Sequence, residues 1–226
     1  NASGAIPDGK KTTVSTATFS TGTSGGVQKG TGNIVLLSTG SSDNTSACAI
    51  ELFLDFTGRN AGTLAFDWAT VFNSTGNRSA SIRVYTSTDG TTYTELSAAA
   101  VLNKANNVAA SGSISPVALP SSFNGSATAR IRIYNYNGTG GTTGSRAKIA
   151  IDNVVVTSSA QSSAPSITTV AASGIAATAA TANGNVTADG GASVTARGLL
   201  YNTTAGATIT DHKTAAPPPP GPGAPG

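Results

Sequence analysis

The single histidine, His212, stands beside Asp211 just ahead of a proline-rich tail. A histidine base needs a packed third group that orients it. The sequence around His212 offers none, so catalysis there is not expected. Paired carboxylates are the next chemistry to weigh. Glu51 and Asp55 fall on one face of a single strand-like segment. At roughly 3.3 Å per residue they stand about 13 Å apart, beyond the ~5–9.5 Å that glycosidases use. Asp67 is expected across from Glu51 on a neighbouring strand, yet a solvated sheet face accounts for all three acids. No phosphate-cradling loop, zinc-ligand spacing or nucleophile elbow occurs. Cys48 is the only cysteine, which excludes an internal disulfide. Its alternating apolar surroundings read as those of a small buried hydrophobe.

What remains is binding chemistry. In ATARIRIYN, Ile131 and Ile133 point inward, so Arg130, Arg132, Tyr134 and Tyr136 point outward. Arg83 and Tyr85 flank Ile82 and Val84 in the same manner. On a shared sheet these residues form a basic and aromatic ladder. Sugars stack on aromatic rings and accept hydrogen bonds from arginine. The same side chains are enriched at protein interfaces. An interface, a glycan face and an ordinary surface are all open readings. Further along, Ile149 and Ile151 keep one phase while Val154 and Val156 keep the other. That switch predicts a bulge at Asp152–Asn153. Glycosylation acceptors of the form N-x-S/T occur at Asn1, Asn44, Asn73, Asn77, Asn124, Asn137, Asn185 and Asn202. In a chain so rich in Asn, Ser and Thr many of them arise by chance. The Thr/Pro tail is a candidate for O-glycans.

The elements that must position these residues are strands. Cys48, Ile50, Leu52, Leu54 and Phe56 alternate along one segment, and Leu64, Phe66, Trp68 and Phe72 along the next. Further strands are expected at Thr12–Ser20, Asn33–Ser38, Ser79–Ser87, Thr91–Ser97 and Arg146–Thr157, with Thr88-Asp89-Gly90 closing a hairpin. Only Glu95–Asn107 hints at helix. Gly, Asn and Ser clusters separate the segments, the pattern of a β-sandwich. Charged residues are 10% of the 226, and 13 basic against 10 acidic groups leave +3. So small and scattered an excess excludes a nucleic-acid footprint. No apolar run reaches the ~18 residues that span a bilayer, so membrane insertion is not expected. Met is absent, so the chain reads as processed after signal removal.

Two resemblances follow. The run FDWATVFNSTGNRSASIRVYTSTDGTTYTEL, with ARIRIYNYN and AKIAIDNVVVT, resembles jelly-roll modules of bacterial secreted surface proteins, a group similar to carbohydrate-binding and laminin-G-like domains. In such modules the aspartate matching Asp152 often joins a structural calcium site, so the resemblance implies calcium there. From Pro165, PSITTVAASGIAATAATANGNVTADGGASVTARGLLYNTT resembles the first half of an immunoglobulin-like or fibronectin type III-like repeat, without that repeat's later strands. The expected layout is an all-β chain: a jelly-roll sandwich over 1–158, a linker at 159–165, a partial immunoglobulin-like module over 166–213 and a polyproline tail at 214–226. Three strands are expected in the partial module, at Ser166–Ala171, Ala176–Thr187 and Ser193–Asn202.

The function expected from this is non-catalytic and extracellular: a structural subunit of a surface filament, sheath or adhesive layer, with copies of itself as partners. The alternative is a carbohydrate-binding module of a larger secreted enzyme or adhesin, with glycans as partners. No cofactor is expected apart from the candidate calcium. Three strands with few large apolar residues rarely make an independent core, and the missing surface must come from the first domain, from another chain or from further residues of the protein. A neighbouring copy is expected to cover them, using Asn1–Thr18, the tail or a jelly-roll face.

Overall fold

The computed structural model describes residues 26–38, 47–208, 210 and 212–216. The chain divides into two compact units, Asn1–Ser159 and Ala160–Gly226. In the first, the described strands are β1 (Gly26–Lys29), β2 (Ile34–Leu37), β3 (Cys48–Leu54), β4 (Arg59–Val71), β5 (Ser79–Ser87), β6 (Thr94–Glu95), β7 (Val101–Ala105), β8 (Ser111–Ala118), β9 (Ala129–Asn137) and β10 (Lys148–Ala160). They form two five-stranded sheets. One has the order β1-β2-β10-β4-β8. The other runs β3-β9-β5-β6, with β7 also paired to β5.

The two sheets enclose one core, so the unit is sandwich-like. Period-2 alternation sends Ile82, Val84, Ile131 and Ile133 from one sheet against Leu36, Phe66, Ile149 and Ile151 from the other. Each such side chain, fully buried, contributes roughly 1.5–3 kcal/mol. Phe56 and Phe123 close one part of that core, their ring centroids 5.8 Å apart. Ile50, Leu52, Leu54 and Trp68 are half-buried against the same cluster. Trp68 finds room because its cross-strand partner is Gly112, where an added Cβ would meet the indole at 3.2 Å. Lys104 Nζ sits 4.7 Å from the ring centroid.

The phase switch in β10 has a local source. Asn153 holds φ at 48°, a left-handed conformation that asparagine tolerates better than most residues. Ile149 and Ile151 before it face the core, and Val156 after it packs on the same core.

Several expected elements differ. Only Thr94–Glu95 of Thr91–Ser97 is strand, followed by a 3-10 turn at Ser97–Ala99. The helix hinted at Glu95–Asn107 is absent, because Val101 is 3% exposed and pins Val101–Ala105 to β5. Phe72 lies beyond the end of β4 and is 59% exposed. Asp67 and Glu51 belong to different sheets, so they do not face each other across neighbouring strands. The strand expected at Thr12–Ser20 lies outside the described residues.

The second unit holds β11 (Ser166–Ser173), β12 (Thr181–Ala188), β13 (Arg197–Tyr201) and β14 (His212–Ala216). They make two separate antiparallel pairs, β11 with β12 and β13 with β14. β14 takes up Thr214–Ala216, where the proline tail was expected to begin; 217–226 lie outside the described residues. From Ala160 onward no described side chain is buried. Ile167, Val170, Ile175 and Tyr201 are 66%, 64%, 76% and 56% exposed. Among the described large aliphatic side chains of this unit only Val186, Val194 and Leu199 reach half-burial.

Candidate binding face

The arginine and tyrosine side chains singled out in β5 and β9 converge on one surface. β5 and β9 lie side by side, with Arg83 opposite Tyr134 and Tyr85 opposite Arg132. β3 flanks β9 on its other side and sets Glu51 opposite Arg132 and Phe53 opposite Arg130. β6 sets Glu95 opposite Tyr85. The alternate positions of these strands fill the core, so these residues share the sheet's outer face.

Each guanidinium there is braced. Arg83 Nη1 donates to both Glu95 oxygens at 2.8 Å, and its Nε donates to the Tyr136 hydroxyl at 2.7 Å. The Tyr136 hydroxyl, then Glu95, hold the Arg83 guanidinium protonated further above its usual value. Glu51 lies 3.6 Å from Arg132 and 4.0 Å from Arg130 and accepts the Tyr93 hydroxyl. Burial, then that bond to Glu51, pushes the Tyr93 phenol upward. Arg132 was expected to be solvent-facing and is not: it is 1% exposed. Tyr93 covers it, with the guanidinium carbon 3.6 Å from the ring centroid.

The other rings form a continuous ladder. Tyr85 meets Tyr134 edge-on at 6.3 Å, and Tyr134 stacks on Tyr136 at 5.8 Å. Burial raises the phenols of Tyr85 and Tyr134. At the rim, Arg130 lies 4.8 Å over the ring of Phe53, which is 61% exposed. The hairpin turn sets this rim. Asp89 Oδ1 accepts the backbone N–H groups of Thr91 and Thr92 at 2.8 Å. Gly90, at φ +73°, lies so close under Arg130 that any side chain there would strike the guanidinium. Three cations therefore share two carboxylates on an aromatic floor.

Sequence reasoning missed four members of this face. Glu51 and Phe53 were legible, since they alternate with Ile50, Leu52 and Leu54. Glu95 was not, because the short β6 carries no apolar alternation, and neither was Tyr93, which lies outside any strand.

Asp152 sits on the outer face of the other sheet. It lines a depression of 360 Å³ with Asp67, Asn33, Asn153, Ser111 and Ser113. Asp152 Oδ1 accepts the N–H of Asn153 at 2.8 Å. Asp67 accepts the Ser113 hydroxyl and, at 2.8 Å, the Asn153 side-chain amide. The Ser113 bond, then the Asn153 bond, lowers the Asp67 carboxyl below its usual range. Calcium asks for about six to eight oxygens. Among the described residues no three acidic, histidine or cysteine side chains gather, and Asp67's oxygens already serve two donors. These residues fit a braced bulge better than a calcium site.

The glycosylation acceptors divide by burial. Asn73 and Asn137 are buried, which closes them to modification in the folded chain. Asn77 Oδ1 receives the N–H groups of Thr142 and Thr143, and Asn124 Oδ1 that of Ala61. Asn185 and Asn202 are exposed. Asn1 and Asn44 lie outside the described residues. His212 stacks on Tyr201 at 5.3 Å; Asp211 lies outside the described residues. The Cys48 thiol donates toward the carbonyls of Gly26 and Leu37, and burial pushes it up to about 12.

No family model, no curated protein and no solved structure matches this chain.

Proposed function

We propose that this chain is a non-catalytic structural subunit of an extracellular assembly, a surface filament, sheath or adhesive layer whose copies join through β contacts. A jelly-roll sandwich carries an immunoglobulin-like module that is incomplete by itself. The jelly-roll reading draws support from the winding: β2 to β3, β3 to β4, β4 to β5, β7 to β8, β8 to β9 and β9 to β10 each cross between the two sheets. The assembly reading is carried by one observation. The second unit has strands but no buried side chain among its described residues, and it leaves Ile167, Val170 and Tyr201 open to water. A unit with no buried core among its described residues lacks the apolar burial that holds a domain together, and two-stranded sheets are marginal alone.

Sedimentation of the purified chain over a concentration series, with electron microscopy of the same samples, tests this. Concentration-dependent association into extended particles is expected. A monomer at every concentration, with the second unit protected from hydrogen exchange by itself, refutes the reading.

A second reading, a carbohydrate-binding module, is favoured by one feature: Phe53 is exposed beside Arg130 at the end of the tyrosine ladder. A glycan that binds the intact chain and loses its affinity on Phe53→Ala supports it. Equal affinity of both proteins for that glycan rules the site out.

A further inference from the structure

We infer that the sugar suited to the outer face of the β3-β9-β5-β6 sheet is an acidic one: a polysaccharide of uronic acid units, with a carboxylate on Arg130 and a sugar ring against Phe53. This rests on the carbohydrate reading and names its class of ligand. The three guanidinium groups of the face are not equivalent. Arg83 is committed, with Nη1 on both Glu95 oxygens at 2.8 Å and Nε on the Tyr136 hydroxyl. Arg132 is buried beneath Tyr93. Arg130 reaches its acid, Glu51, only at 4.0 Å, and its side chain is partly exposed. The Glu51 carboxylate lies closer to Arg132, at 3.6 Å, and accepts the Tyr93 hydroxyl. Three cations against two carboxylates leave one positive charge in excess. The Asp89 carboxylate of the adjoining turn is held by the Thr91 and Thr92 N–H groups. A guanidinium offers an arriving carboxylate two parallel N–H donors.

The place of Arg130 is set before any ligand arrives. Arg130 and Phe53 are cross-strand partners, and the guanidinium carbon stands 4.8 Å over the ring. Gly90 leaves the space beneath it that any side chain would take. Thr128 Oγ1, next to the start of β9, donates to the Thr88 carbonyl at 2.6 Å and ties the turn to that strand. A donor held in place loses less freedom on binding. Phe53 is largely exposed. A pyranose ring presents an apolar C–H face to such a ring, and a uronate carries its carboxylate at the ring's edge. One sugar unit therefore engages Phe53 and Arg130 together. Tyr85 and Tyr134, half-buried on β5 and β9, continue the aromatic surface beside it. An acidic peptide brings carboxylates without a rigid apolar face and is the competing occupant.

Titration of the full chain with polygalacturonate, alginate, methyl-esterified polygalacturonate and polyglutamate tests this. The ester masks the charge on an unchanged backbone. Affinity for polygalacturonate should exceed that for its ester by about tenfold or more and should fall as salt is added. Arg130→Gln should bring acid and ester level. Arg130→Lys keeps the charge without the paired donors and should fall between, and it carries the comparison if the glutamine variant does not fold. Phe53→Ala should weaken both polymers. Urea midpoints of the variants show which are folded. Equal affinity for acid and ester, lost on Phe53→Ala, overturns the acidic assignment and leaves the carbohydrate reading standing. Acid binding that ignores both Arg130→Gln and Phe53→Ala, or that polyglutamate matches, is the general attraction of a +3 chain for polyanions and overturns it as well. Binding to none of the three polysaccharides removes the carbohydrate reading, and the acidic assignment with it.

Discussion

At the scale of single residues, the outer face of the β3-β9-β5-β6 sheet is held by a few charge contacts in sheltered places. Glu51 serves Arg132, Arg130 and the Tyr93 hydroxyl together. Because the Arg132 side chain is 2% exposed and that of Glu51 8%, removing the carboxylate leaves a buried cation without its acid. Glu51→Gln should cost about 3–5 kcal/mol in a urea melt. Replacing Glu51 and Arg132 together with apolar residues should cost less. Asp89 makes a different prediction, about pH. The backbone N–H groups of Thr92 and then Thr91 hold its carboxyl well below the usual range. The folded carboxyl thus titrates below the unfolded one, near ~3.9. Its contribution is complete above that value and fades as the pH falls beneath it. Asp89→Ala should lower the urea midpoint at pH 7, and the gap from the parent protein should narrow in acid. Cys48 should resist thiol reagents at pH 8 in the native chain and react promptly in denaturant, because its thiol titrates near 12 and the thiolate is the reactive form.

At the scale of elements, the strongest alternations were legible from sequence and the weaker ones were not. β3, β5, β9 and the first part of β10 each carry Ile, Leu or Val at two or three successive alternate positions, and period 2 places them directly. β8 escaped notice for a physical reason. Its apolar residues Ile114 and Val117 break the alternation, because a register shift lies between their partners Phe66 and Leu64. Pro116 sits inside that shift, on a strand at the sheet's edge, where a missing backbone donor is tolerated. Ala98–Ala100 looked helical only because local propensity takes no account of Val101, whose burial decides the segment. The tyrosine ladder was legible for the same reason as the core, being its complement on the same strands. Its cover, Tyr93, was not, since it lies outside any strand and only tertiary packing brings it over Arg132. Phe66→Ala, in the middle of β4 and 1% exposed, should cost about 3–5 kcal/mol by thermal or urea unfolding. Phe53→Ala on the exposed edge of the ladder should leave stability within about 0.5 kcal/mol.

At the scale of the whole molecule, the two units differ in what holds them. The first encloses Phe66, Ile82, Ile131, Ile133 and Ile149 between its sheets, so deleting 160–226 should leave its melting temperature nearly unchanged in calorimetry. The second encloses nothing comparable among its described residues. If copies of the chain complete it, as proposed, its order depends on occupancy, and occupancy obeys mass action. On that proposal the free energy of unfolding of the second unit is a function of how much protein is in the tube. Calorimetry of the intact chain should show one transition fixed in temperature and another that climbs as the sample is concentrated. Diluting an assembled sample should melt the second unit isothermally while the first stays folded.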